Sequence, residues 1–97
     1  MNLIQSLNKE FESRIRLGIM SVLMVNSWVE FKEMKEILDI TDGNLASHIA
    51  GLEKKEYIEV KKEFVGKKPK TSYRVTKAGR KAFNQHLSLL EKIINQK

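Results

Sequence analysis

The chain has 97 residues, a formal net charge of +6, 41% hydrophobic side chains and no cysteine. One domain with one core fits that length, and the apolar content excludes wholesale disorder. The lack of cysteine removes disulfides, thiolate nucleophiles and cysteine-ligated metals and fits a cytoplasmic chain, while no apolar run nears the roughly 18 residues of a membrane span.

The first segment, about residues 7–26, reads as one helix. Phe11, Ile15, Ile19, Val22 and Leu23 recur at the period of a single helical face. Trp28-Val29-Glu30-Phe31 is β-prone but long enough only for a stub strand. A second helix is expected over 32–39, with Met34, Ile37 and Leu38 on its buried stripe. The stretch from Ile40 to Asn44 breaks the pattern, and Thr41 or Asp42 supplies the oxygen that caps the next helix. That third helix, about 43–55, buries Leu45, Ile49 and Leu52. Its opposite side is small and polar: Gly43, Ser47, Ala50, Gly51 and Lys54, with Asn44 at the flank. Tyr57 to Lys61 alternates as a strand, extendable through Val65. Gly66 to Lys70, containing the sole proline, is the turn, and Thr71 to Thr76 returns as a second strand. Thr76 caps a last helix over about 77–95.

The order is helix, stub strand, helix, turn, helix, hairpin, helix. This is a mainly α chain with a β-hairpin wing, the winged helix-turn-helix arrangement, as a single domain over residues 1–97. Charge is segregated along it. Residues 61–81 hold nine basic side chains (Lys61, Lys62, Lys67, Lys68, Lys70, Arg74, Lys77, Arg80 and Lys81) against Glu63 alone, whereas residues 1–60 are net acidic. A block this dense is the footprint expected for a polyanion.

In a helix-turn-helix pair the second helix enters the major groove, which is about 12 Å wide and admits a helix with a small outer side. Asn44 and Ser47 offer donors and acceptors to base edges, and Lys54 reaches a phosphate. Ala50 and Gly51 let the backbone come close, while His48 stands between the polar and apolar sides. Lys67, Lys68 and Lys70 crowd the hairpin tip, where such a wing meets phosphate or the minor groove, with Lys61 and Arg74 further in; Arg80, at the entry to the last helix, is also expected on the DNA. Double-stranded DNA is therefore the expected partner. The competing reading is a winged-helix module that binds an acidic protein. RNA binding wants exposed aromatic rings, and Tyr73 and Phe64 are both expected to point inward.

The run Thr41-Asp42-Gly43-Asn44-Leu45-Ala46-Ser47-His48-Ile49, followed by Leu52-Glu53-Lys54-Lys55-Glu56-Tyr57-Ile58, resembles the recognition-helix signature of small winged-helix regulators related to the MarR and ArsR groups. Lys68-Pro69-Lys70-Thr71, Tyr73-Arg74-Val75-Thr76 and Gly79-Arg80 resemble their wing and the start of their last helix. Glu56 departs from the pattern, since a glycine commonly stands there. The resemblance implies a dimeric DNA-binding transcriptional regulator, usually a repressor. It also implies that Asn44, Ser47, His48 and the wing lysines face the operator.

The chain ends bear on the dimer. In the last helix Phe83, Leu87, Leu90 and Ile94 form one apolar stripe, and Ala82, Leu89 and Ile93 an adjoining one. With Ile4 and Leu7, residues 1–10 and 82–97 are expected as dimerisation extensions, pairing two copies on a near-palindromic site. Nothing catalytic is expected. His48 and His86 are the only histidines, Asp42 is explained as a helix cap, and the five glycines are scattered rather than gathered into a phosphate loop. No metal or cofactor is expected, and no polar cluster marks an effector site.

Overall fold

A computed structural model describes residues 3–95. Two short 3₁₀ turns, Leu3–Ser6 and Lys9–Phe11, precede α1 (Arg14–Met24), β1 (Val29–Glu30), α2 (Phe31–Leu38), α3 (Asp42–Lys54), β2 (Ile58–Val65), β3 (Lys68–Val75) and α4 (Lys77–Ile94). The strands form one antiparallel sheet in the order β1-β3-β2. This is the winged-helix fold expected from the sequence.

The first helix is shorter than its periodicity suggested. Ser13 ends the approach and starts α1, its hydroxyl accepting the amide N–H groups of Ile15 and Arg16. Phe11 nevertheless lies on the buried side, because the preceding 3₁₀ turn carries it there. Ile19, Met20 and Leu23 of α1 pack with Met34 of α2, with Leu45, Ile49 and Leu52 of α3, and with Val29, Ile58, Tyr73 and Val75 of the sheet.

Both tight turns around α3 use left-handed backbone. Asp39 closes α2 at φ 51°, after which Thr41 caps α3 by accepting the amide of Asn44 at 3.2 Å. Past α3, Glu56 stands at φ 61°, where the Glu56 amide bonds Glu53 O and the Tyr57 amide bonds Leu52 O. That pair of bonds is a Schellman stop. Glycine commonly occupies this position because it adopts such a φ without strain, and this chain keeps the turn with glutamate.

The hairpin turn is tighter than the five residues read from sequence. Val65 pairs with Lys68, so only Gly66 and Lys67 make the turn, and Gly66 alone takes a positive φ, 67°. That is the demand of a type II′ turn. Pro69 therefore lies in β3, opposite Phe64. One rung beyond a two-residue turn the pair exchanges no ladder bonds, and β1 does not reach that far, so the missing proline N–H costs nothing.

Candidate nucleic-acid interface

On α3 the apolar stripe is buried, and Gly43, Asn44, Ser47, Ala50 and Lys54 are exposed on the other side. The start of α3 is fixed by its Thr41 cap and by an ion pair between Lys35 of α2 and Asp42, at 2.8 Å. Asp42 in the first turn also suits the positive end of the helix dipole. The outcome is a short, firmly seated helix with a bare hydrophilic side.

Two residues of that helix have other duties. The Arg16 guanidinium donates from Nε to His48 Nδ1 at 3.0 Å and pairs through Nη1 with Glu10 at 2.6 Å. His48 is half-buried, so this bond ties it to α1. Gly51 has a second use. A Cβ built there would collide with the Arg16 guanidinium, so the bare position makes room for Arg16.

The hairpin lysines divide by strand alternation. Ile58, Val60, Tyr73 and Val75 face the helices, and the same inner side continues outward as Lys62, Phe64, Pro69 and Thr71. The outer side carries Glu59, Lys61 and Glu63 opposite Arg74, Ser72 and Lys70. There Lys61 lies over the Trp28 ring at 4.5 Å and Arg74 over it at 4.6 Å, with Arg74 also paired to Glu59. Lys70 lies between Glu30, at 3.7 Å, and Glu63, at 3.9 Å. Lys61 also stands 4.0 Å from Glu63; these exposed pairs are individually weak, but they set a carboxylate beside three of the expected DNA cations. Lys62, Lys67 and Lys68 are exposed and, among the described residues, have no carboxylate within ion-pair distance. Lys62 stands outside the expected DNA-facing set, although alternation with the acidic Glu59 and Glu63 puts it on the uncompensated side.

Two further expectations are corrected, and Arg80 has a structural partner. Phe64, expected inward, is 75% exposed, because the hairpin outruns the helices that would cover it. Arg80 lies at the base of the hairpin and donates to Met24 O at 3.3 Å, closing the end of α1. The wing tip is eight strand residues away, about 25 Å. Phe83, expected in the dimer interface, is buried in this chain's own core with its ring edge-on to Phe11 at 5.2 Å.

The rest of the apolar stripe of α4 is uncovered. Leu87 is 44% and Ile94 78% exposed, Leu90 is half-buried, and Ile4 lies in the first 3₁₀ turn, which packs near this helix, with Leu7 just after that turn. Residues 1, 2, 96 and 97 of the expected extensions lie outside the described residues. His86 is buried on α4, where its Nδ1 accepts the Asn8 amide at 3.2 Å. Burial pushes its pKa below the ordinary histidine value, opposed by the nearby Glu12 carboxylate. Among the described residues no cluster of acidic or histidine side chains could hold a metal, and no helix is long and apolar enough to cross a membrane.

A family model for a winged helix DNA-binding domain matches residues 15–94. An uncharacterized protein of Methanocaldococcus jannaschii is 37% identical over 79 residues, covering 81% of this chain and 86% of that relative. Among solved structures, a transcriptional regulator homologue from Pyrococcus horikoshii superposes with a TM-score of 0.82 at 30% identity, covering 98% of this chain and 96% of that one. The YusO protein of Bacillus subtilis superposes with a TM-score of 0.80 over 95% of this chain and 64% of that one; at 16% identity this likeness concerns the fold.

Proposed function

Since the chain belongs to the winged helix DNA-binding domain family, we propose that it is a sequence-reading transcriptional regulator, a repressor, that grips duplex DNA as a homodimer. The observation that carries this is the pairing of two surfaces. The bare side of α3 (Asn44, Ser47, Ala50) is held by its cap and its buried stripe, and the adjacent hairpin ends in lysines that, among the described residues, have no carboxylate within ion-pair distance.

Each surface has a distinct task. Asn44 and Ser47 are short enough to reach base edges in the major groove without holding the helix away from it. Lys62, Lys67 and Lys68 provide attraction to phosphate, which positions the protein and carries no sequence information. His48 contributes by fixing α3 to α1 through Arg16. The uncovered stripe of α4 joins two copies, so that two α3 helices meet one face of the duplex about one turn apart.

The test is a titration of the protein against random duplex and against single-stranded RNA over a range of salt. The expected result is duplex binding whose logarithm falls steeply and linearly with the logarithm of salt concentration. Preference for the single strand removes the major-groove assignment.

A further inference from the structure

We propose that, where the wing meets the minor groove, the apolar tip of the hairpin, Phe64 and Val65 backed by Pro69, acts as a wedge that widens the groove, so that sites are selected partly by how readily they deform. The proposal rests on the DNA-binding reading above and deepens it.

Phe64 is 75% and Val65 59% exposed, at adjacent positions on the last rungs before the turn. They point to opposite faces of the ribbon, Phe64 beside Pro69 and Val65 beside Lys68, so apolar surface wraps the tip on both sides. No acidic residue occurs from Phe64 through Tyr73, while Lys67 and Lys68 stand at the turn and Lys62 behind Phe64. The tip therefore fits a partner that is anionic at its rims and apolar between them. The minor groove is such a surface, with phosphates along its edges and deoxyribose walls inside.

Size decides the outcome of the encounter. The minor groove of relaxed duplex is about 6 Å wide. Two strands lie about 4.8 Å apart, and with side chains on both faces the ribbon is close to 10 Å thick. A hairpin of that thickness either stops at the phosphates or forces the groove open. Stopping there leaves Phe64 and Val65 among charges and water with no gain. Entering covers both, and each such side chain buried is worth on the order of tenfold in affinity. Apolar side chains used in this way unstack base steps and kink the duplex. The deformation is easiest at pyrimidine–purine steps and hardest in A-tracts, so flanking sequence is discriminated without a base contact.

The experiment uses a duplex of about 30 base pairs carrying the sequence that the wild-type protein enriches from a random pool, with TA steps or A-tracts placed in its flanks. Bending is read by end-to-end energy transfer. Wild type should bend the TA-flanked duplex by at least about 20° and prefer it to the A-tract version about tenfold. Phe64→Ala/Val65→Thr should leave the duplex straight and erase that preference, with salt slope, melting temperature and sedimentation mass unchanged. Phe64→Leu, which keeps an apolar wedge, should still bend it. The wedge is overturned if Phe64→Ala/Val65→Thr bends as wild type does. It is equally overturned if the substitutions alter the sedimentation mass, which would assign the tip to an interface between copies, or if they selectively lose single-stranded RNA, which would make Phe64 a stacking platform. Failure of the wild-type protein to bind any duplex defeats the underlying reading instead.

Discussion

At the scale of single residues, His86 makes the stability of the chain sensitive to acid. Its Nδ1 accepts a hydrogen bond and its ring is buried, so its pKa in the folded protein lies below the unfolded value. As pH falls through the ordinary histidine range the unfolded chain takes up a proton more readily than the folded chain, and stability drops. Melting temperature should therefore decline between about pH 7.5 and 5. His86→Asn, which keeps an acceptor near the Nδ1 position, should flatten that decline; an equal decline in the variant would assign it to other groups. Glu56 offers a second test. Its left-handed φ of 61° is strained for a residue with a Cβ. Glu56→Gly should raise stability by up to about 1 kcal/mol, the relief being partly offset by the greater freedom of glycine in the unfolded chain. Glu56→Ala should show no such gain. The departure from glycine at this position is legible in the sequence, whereas its backbone cost requires the structure. The reverse holds at Gly51. Its lack of a side chain is plain, but its beneficiary, Arg16, is remote in sequence and on another helix.

At the scale of elements, α3 and the hairpin separate base reading from attraction. Asn44→Ala and Ser47→Ala should each cost on the order of 1–3 kcal/mol on the preferred duplex while barely changing binding to random sequence. A uniform loss would reassign them to phosphate. Replacing Lys62, Lys67 and Lys68 with Ala should weaken all duplexes alike and lower the salt slope by about one for each phosphate left unneutralised. Substituting Lys61 and Lys70 should change that slope less, because Glu63 and Glu30 already balance them. The elements are readable from sequence because caps, apolar stripes and alternation are local signals: Thr41 and Thr76 cap where expected, and Leu45, Ile49 and Leu52 are buried. Local signals do not supply the point where the body of the protein ends. Phe64 continues the inner alternation of β2 but lies beyond any covering helix. Phe11 and Ile15 keep helical spacing across the interruption at Ser13. Phe83 and Leu87 share one stripe of α4, yet the first is core and the second surface.

At the scale of the whole molecule, the described chain is elongated, 57 Å along its long axis against 25 and 21 Å across. Its radius of gyration, 14.8 Å, exceeds the roughly 12.5 Å of a compact chain of this length. The uncovered stripe on the second half of α4 accounts for the proposed pairing. Native sedimentation should give twice the 11.3 kDa chain mass. Leu87→Lys with Ile94→Lys should give a folded single copy, since neither side chain belongs to the core. Phe83→Ala should instead destabilise the chain by about 3–5 kcal/mol. A partner seated on α4 would lock the separation of the two reading helices, because no flexible joint intervenes between Thr76 and the far end of that helix: α4 is unbroken through Ile94. The protein would then act as a fixed calliper on a screw. Five base pairs inserted at the centre of its site, about half a helical turn, would carry one half round to the far side of the rod, where the second jaw cannot reach.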